Sequence, residues 1–303
     1  MTLGLLTTAT TRAQEWERLP DMPVEKWEPG TVVLDGKLYL FGGYTAGVRS
    51  SKLAHVFDPA AGSWTRIQDL PSAITHMNLV LDGRKVWFAG GFKDGYRGHA
   101  IAEVWSYDFD AAAAGHAGRR RARPRRPQAA LHGRRRGGPR YGFPGPLGAR
   151  PRRVGAGPRR MGGSRADARA PQPVLVRDVR REDLRHRREQ LDQARVDVYD
   201  PATDTWTAGP PLPKGHSHAE GSTFVHDGRI YMAGGHTTAP GESKQVDPDI
   251  LALSPGGDWE VIGKLPMPLS SPAAAIIDGR FYVAGGSPGR SAVQADMWVG
   301  RLP

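Results

Sequence analysis

From Asp35 to Gly43 the chain runs Asp-Gly, then the apolar and aromatic stretch Lys37-Leu38-Tyr39-Leu40-Phe41, then Gly42-Gly43. The same pattern returns at Asp82 to Gly91, Asp227 to Gly235 and Asp278 to Gly286. An Asp-Gly dipeptide before such a run predicts a tight turn leading into a strand, and paired glycines mark where the backbone turns or passes close to a neighbour. Second strands accompany the copies, at Val56-Phe57-Asp58-Pro59, Val104-Trp105-Ser106-Tyr107, Val196 to Pro201 and Met297-Trp298-Val299. Several copies then reach a tryptophan and a Leu-Pro turn: Trp64 with Leu70-Pro71, Trp206 with Leu212-Pro213, and Trp259 with Leu265-Pro266. These tryptophans are expected to pack between repeating units.

Together these residues resemble kelch repeats, whose units are four-stranded blades of a β-propeller. The glycine pairs set the period: Gly43 to Gly91 is 48 residues, Gly91 to Gly235 is 144, or three periods, and Gly235 to Gly286 is 51. Two blades are therefore missing from the middle, and the expected fold is an all-β, six-bladed kelch propeller. Residues 14–303 form its single domain. Trp16 and Leu19-Pro20 precede the first glycine pair, whereas no tryptophan follows the last strand. The N-terminal segment is thus expected to supply the outer strand of the last blade and close the ring.

Blades three and four should occupy residues 115–190, but that block holds 23 Arg, no Lys, and no Ile, Thr, Asn or Trp. No sheet is built from that composition, and as written it reads as disordered. Almost every residue in it has codons beginning with G or C, as results when the third position of a GC-rich gene is read as the first. We read the block as frameshifted. Val154 to Met161 can be encoded so that regrouping one base later gives Trp-Val-Leu-Asp-Leu-Asp-Glu-Trp, a second strand with its closing tryptophan. In the same frame Arg180 to Glu189 can give Asp-Gly-Lys-Ile-Tyr-Ala-Ile-Gly-Gly, the blade signature near its required position.

The formal charge of +11 and the basic isoelectric point would ordinarily point to nucleic acid or an anionic surface. The block supplies 23 basic and 5 acidic residues, leaving 19 basic against 26 acidic elsewhere. The repeat-bearing part is acidic, so no nucleic-acid partner is expected. The chain has no cysteine, which removes disulfides and thiolate metal sites, and no apolar run reaches membrane-spanning length. Leu3, Leu5 and Leu6 before Thr11-Arg12-Ala13 read as a signal-peptide remnant, with a disordered tail as the alternative reading of residues 1–13. The first reading predicts a secreted or periplasmic protein, the second a cytoplasmic one.

Propeller ligands bind on the loops and inner strands around the channel. The segments before each Asp-Gly strand carry Trp27-Glu28, Thr75-His76 with Asn78, His216-Ser217-His218 with Glu220, and Ser270-Ser271. His and Glu in equivalent places are the candidate site: Trp27, Glu28, Thr75, His76, Asn78, His216, His218, Glu220 and Ser271. His236, Lys93 and Asp94 follow glycine pairs nearby. Imidazoles and carboxylates of this kind move protons, bind ligands or hydrogen-bond backbone groups in propeller turns. Neither a metal nor a cofactor is expected. The resemblance implies most often a non-enzymatic module binding a protein or glycan at the channel face. The alternative is a sugar-processing propeller enzyme similar to the kelch epimerase of sialic acid. A copper radical oxidase resembling galactose oxidase shares such blades but needs a cysteine that this chain lacks.

Overall fold

The computed structural model describes residues 15–93, 98–113, 193–238, 243–289 and 292–302, with the two-residue strand Val174–Leu175. Two compact units divide the chain, one comprising Met1–Ala122 and Pro173–Pro303, the other Arg123–Gln172. The second unit, most of the block 115–190, residues 1–13 and Asp94 lie outside the described residues.

The first unit is built of antiparallel sheets. Sheet I holds Gly30–Leu34, Lys37–Phe41, Ala54–Asp58 and Ser63–Ile67 in chain order. Sheet II holds Asn78–Asp82, Lys85–Ala89 and Val104–Asp108. Sheet III joins Val174–Leu175, Asp197–Asp200 and Thr205–Ala208. Sheet IV holds Thr223–His226, Arg229–Ala233, Asp249–Leu253 and Trp259–Lys264. Sheet V combines Ala273–Ile277, Arg280–Ala284 and Met297–Gly300 with Trp16–Leu19. No helix among the described residues is long and apolar enough to cross a membrane.

The turns follow from residue chemistry. Asp35-Gly36, Asp227-Gly228 and Asp278-Gly279 all have positive φ, as the type I′ turn of a two-residue hairpin requires. In sheet II the pairing Asp82↔Lys85 moves the turn to Gly83-Arg84, where only Gly83 has positive φ, the type II′ pattern. At the end of the third strand of sheets I and II and of the middle strand of sheet III an aspartate caps the next turn: Asp58 Oδ1 accepts from the Ala60 and Ala61 amides, Asp108 Oδ1 from Asp110 and Ala111, and Asp200 Oδ1 from Ala202.

Each sheet buries its faces on its neighbours. Phe41 of sheet I meets Phe88 of sheet II edge to face at 5.1 Å, within a cluster with Ile74, Val86 and Trp105. Leu38, Leu40 and Phe57 of sheet I pack against Tyr282, Ala275 and Met297 of sheet V. Ile250 and Ala233 of sheet IV pack against Phe281 and Val283 of sheet V. Burying each such large apolar side chain is worth about 1.5–3 kcal/mol, so these junctions hold the fold together. At Gly42, with φ of 58°, a Cβ would sit 2.6 Å from the Ile74 carbonyl in the segment leading into sheet II, so only glycine fits there.

The N-terminal strand pairs with the last one, Trp16↔Gly300 to Leu19↔Met297, and covers its edge as expected. The indoles also latch neighbours: Trp64 donates Nε1–H to the Pro20 carbonyl at 3.2 Å, and Trp16 donates to the Lys264 carbonyl at 3.0 Å. Trp259 is buried, with its Nε1 unpartnered. Trp206 departs from the expected packing role. It is 52% exposed, touching Tyr199 of its own sheet at 5.0 Å between ring centroids.

Candidate functional site

Glu28, His76, His218 and Ser271 stand at one equivalent position, the second residue before the first strand of a sheet or, at His218, before the intervening Glu220–Ser222 turn. All four have φ between 43° and 56°, a left-handed backbone that non-glycine residues adopt at a cost of about 1–3 kcal/mol. The residue before each is pinned by a bridge to the residue after a glycine pair: Trp27↔Tyr44, Thr75↔Phe92, Ser217↔His236 and Ser270↔Ser287. The turned residues also link sheet to sheet. Glu28 N–H donates to the Ser271 carbonyl at 3.1 Å, and Ser271 donates to the His218 carbonyl through both N–H, at 2.9 Å, and Oγ, at 2.6 Å. The repeat thus builds a collar in which Ser271 is held by bonds on both sides.

The segments of the collar pack closely. A Cβ on Gly221 would lie 2.8 Å from the Pro29 carbonyl and 3.2 Å from that of Pro272, so segments leading into sheets I, IV and V touch. Ser271 is fully buried and Glu28 nearly so.

Side-chain chemistry gathers on the collar. His76 Nε2 lies 2.9 Å from Glu28 Oε2, and its Nδ1 lies 3.0 Å from Thr75 Oγ1. Burial disfavours the charged ring, but the Glu28 carboxylate, helped by Glu220, outweighs it and raises the His76 pKa above the ordinary histidine value. His218 is held in the same way, its Nδ1 3.0 Å from Ser217 Oγ, and its ring meets His236 at 4.7 Å between centroids. Burial lowers its pKa, and the nearby charges of Lys244 and His76 add to that against the opposing Glu28 and Glu220. One collar imidazole is therefore biased towards its charged form and the other towards neutral. Tyr44 and Phe92 meet His76 edge-on at 5.9 and 5.3 Å, and Trp27 stacks obliquely on Tyr44.

The other candidates fall elsewhere. His216 is buried, with Nε2 2.6 Å from Asp247 Oδ2, in a network where Lys214 bridges Asp247 and Asp249 and Lys264 reaches Asp249. Although burial opposes it, bonding to His216 and Lys214 lowers the Asp247 pKa to about 2. Trp27 is buried and donates Nε1–H to Ser270 Oγ, and Thr75 is buried under His76. Asn78 is exposed on the first strand of sheet II, and Glu220 is exposed on its 3-10 turn. Lys93 pairs with Glu103. Among the described residues no group of three or more His, Asp or Glu is arranged to hold a metal ion. Tyr44, Phe92 and Lys244 were not among the expected site residues. For Tyr44 and Phe92 the signal was present, since both directly follow a glycine pair as His236 does.

Comparison with known proteins agrees with this architecture. The family described as the Kelch motif matches residues 28–71. Kelch-like protein terF of Aspergillus terreus is 30% identical over 92 residues, which is 29% of this chain and 20% of that protein. Kelch-like protein 21 of Mus musculus is 36% identical over 80 residues, 25% of this chain and 12% of that protein. The chain thus spans a fifth or less of these relatives' length. A solved structure titled "Structure of YjhT" superposes with a TM-score of 0.50 at 12% identity, covering 92% of this chain and 95% of that one, a likeness of fold.

Proposed function

From the premise that this chain is a kelch-repeat β-propeller, we propose that it is a non-enzymatic binding module that holds a protein or glycan partner at the collar mouth. The observation that carries this is the placement of Glu28, His76 and His218 at one strained repeat position. A strained backbone persists only where surrounding bonds over-determine it, and such positions cluster at ligand sites. His76, His218 and His236 are part-exposed there. Their imidazoles suit the hydroxyls of sugars or the polar side chains of a peptide. Export of the protein, from the reading of residues 1–13, would place an extracellular or periplasmic partner within reach.

A second reading is favoured by the opposite bias of the two collar imidazoles. His76, whose pKa is raised, and His218, whose pKa is lowered, both near Glu28 and Glu220, are biased in the directions that an acid and a base for proton transfer on a sugar need.

The test is a glycan array and a protein capture screen with the intact chain, beside His76→Ala, His218→Ala and Glu28→Gln. Binding lost in the first two, with little change in melting temperature, is the expected outcome. Glu28→Gln should lower the His76 pKa in an NMR titration. Turnover of a bound sugar would select the second reading. Unchanged binding in both histidine variants would remove the collar from either.

A further inference from the structure

Four apolar residues are exposed in ways that share one cause. In sheet I, Val32 packs towards sheet II, and its equivalent in sheet II is Val80, as the pairings Val32↔Tyr39 and Val80↔Trp87 show. Val80 is 59% exposed. Val33 packs towards the preceding sheet V, and its equivalent in sheet IV, Val225, is 50% exposed. Tyr44 is buried against His76 of the following sheet, whereas Phe92, in the same place in sheet II, is 40% exposed. Trp64 and Trp16 latch onto the sheet before their own, but Trp206 is 52% exposed. Each exposed residue faces where the repeat requires a blade after sheet II or the inner strands of sheet III.

The ends of the gap are equally marked. The kelch turn continues through the Ala111 amide, held by Asp108. The repeat resumes at Gln193, where His216 N–H donates to the Gln193 carbonyl as Ile74 N–H does to that of Ser51. Between them only Val174–Leu175 takes part in a described sheet. It pairs with Val198 and Tyr199 where sheet I sets four residues, Leu38 to Phe41, against its third strand.

We propose that the flank of sheet II, the inner flank of sheet IV and the half-built sheet III are docking faces for one further kelch blade and the inner strands of another. Their occupant is the polypeptide encoded between about codons 112 and 192 read one base later. The argument for this occupant over a second copy of the chain is one of length and register. The 144 residues between Gly91 and Gly235 are three repeat periods, so the missing material has the right length in place. The shifted frame also accommodates a blade signature at residues 180–189, directly before the orphaned third strand at Asp197–Asp200.

The test compares the 303-residue chain with a chain corrected in frame over this interval, by hydrogen–deuterium exchange, sedimentation and melting. In the corrected chain the amides of 78–82, 197–208 and 223–226 should exchange at least tenfold more slowly, and iodide should no longer reach Trp206. Val80→Lys and Val225→Lys should then lower its melting temperature by roughly 5–10 °C, as burying an unpaired charge does, and leave the 303-residue chain within about 2 °C. The proposal is overturned if the corrected chain does not melt cooperatively, if its Trp206 stays accessible, or if exchange is unchanged. It is equally overturned if the 303-residue chain sediments as a dimer that protects these same segments.

Discussion

Lys26 occupies the buried layer that Ile74 and Leu269 fill in neighbouring repeats, and its Nζ donates only to the carbonyls of Gly42, at 3.0 Å, and Leu53, at 2.9 Å. Burial pushes its pKa down to about 8, with Asp69 opposing. Because the folded value lies below the unfolded one, the unfolded chain binds more protons between them, and stability rises with pH across that window. The expected gain from pH 7.5 to 10.5 is roughly 3 kcal/mol by the cost of one pKa unit. Urea unfolding of Lys26→Met at several pH values should lack that rise, and an identical slope in parent and variant would contradict the account. His55 behaves in the opposite half of the scale. Burial, then the charges of Lys26 and Arg66, depress its pKa to about 4, so its neutral form is protected and its contribution is lost as pH falls below about 6.5. At this scale the sequence was only partly legible. Glu28, His76 and His218 could be picked out because the repeat places them together. His216 could not be separated from them, since its partner Asp247 lies 31 residues further on and nothing local announces the pairing.

At the scale of elements, the strands and their turns were legible because a short-range code specifies them. Asp-Gly sets the hairpin, the apolar run sets the strand, and the glycine pair lets the neighbouring sheet approach. The pairing of Trp16–Leu19 with Met297–Gly300 was legible from Trp16 and Leu19-Pro20, which repeat the tryptophan and Leu-Pro turn of the other units ahead of the first glycine pair. Trp206 was misread because its burial depends on a neighbour, not on its own strand. The contrast between the two indoles is testable. Trp16 meets Phe281 edge-on at 6.2 Å and donates to the Lys264 carbonyl, so Trp16→Ala should cost about 2–4 kcal/mol, near the lower range for truncating a large aromatic. Trp206→Ala should cost under about 1 kcal/mol, as exposed positions do. Chemical denaturation of both variants measures the difference, and equal losses would mean that Trp206 is buried after all.

At the scale of the whole molecule, the kelch propeller explains what the composition obscures. Outside residues 115–190 the chain is acidic, and its sheets bury one another in succession from sheet IV through V and I to II. A propeller gains stability by giving every blade two neighbours and leaving few free edges. Among the described residues, the exposed flanks at Val80 and Val225 lie on the sheets that flank the arginine-rich block. The collar follows the same repeat, since sheets I, II, IV and V each add one turned residue to it. The most direct measurement of this account is the nucleotide sequence of an independent copy of the gene across codons 105 to 200. It should show an insertion or deletion after codon 111 and a compensating one before codon 193, and the corrected frame should encode two glycine pairs about 48 residues apart. Stop codons in that frame, or its lack of glycine pairs, would contradict this account.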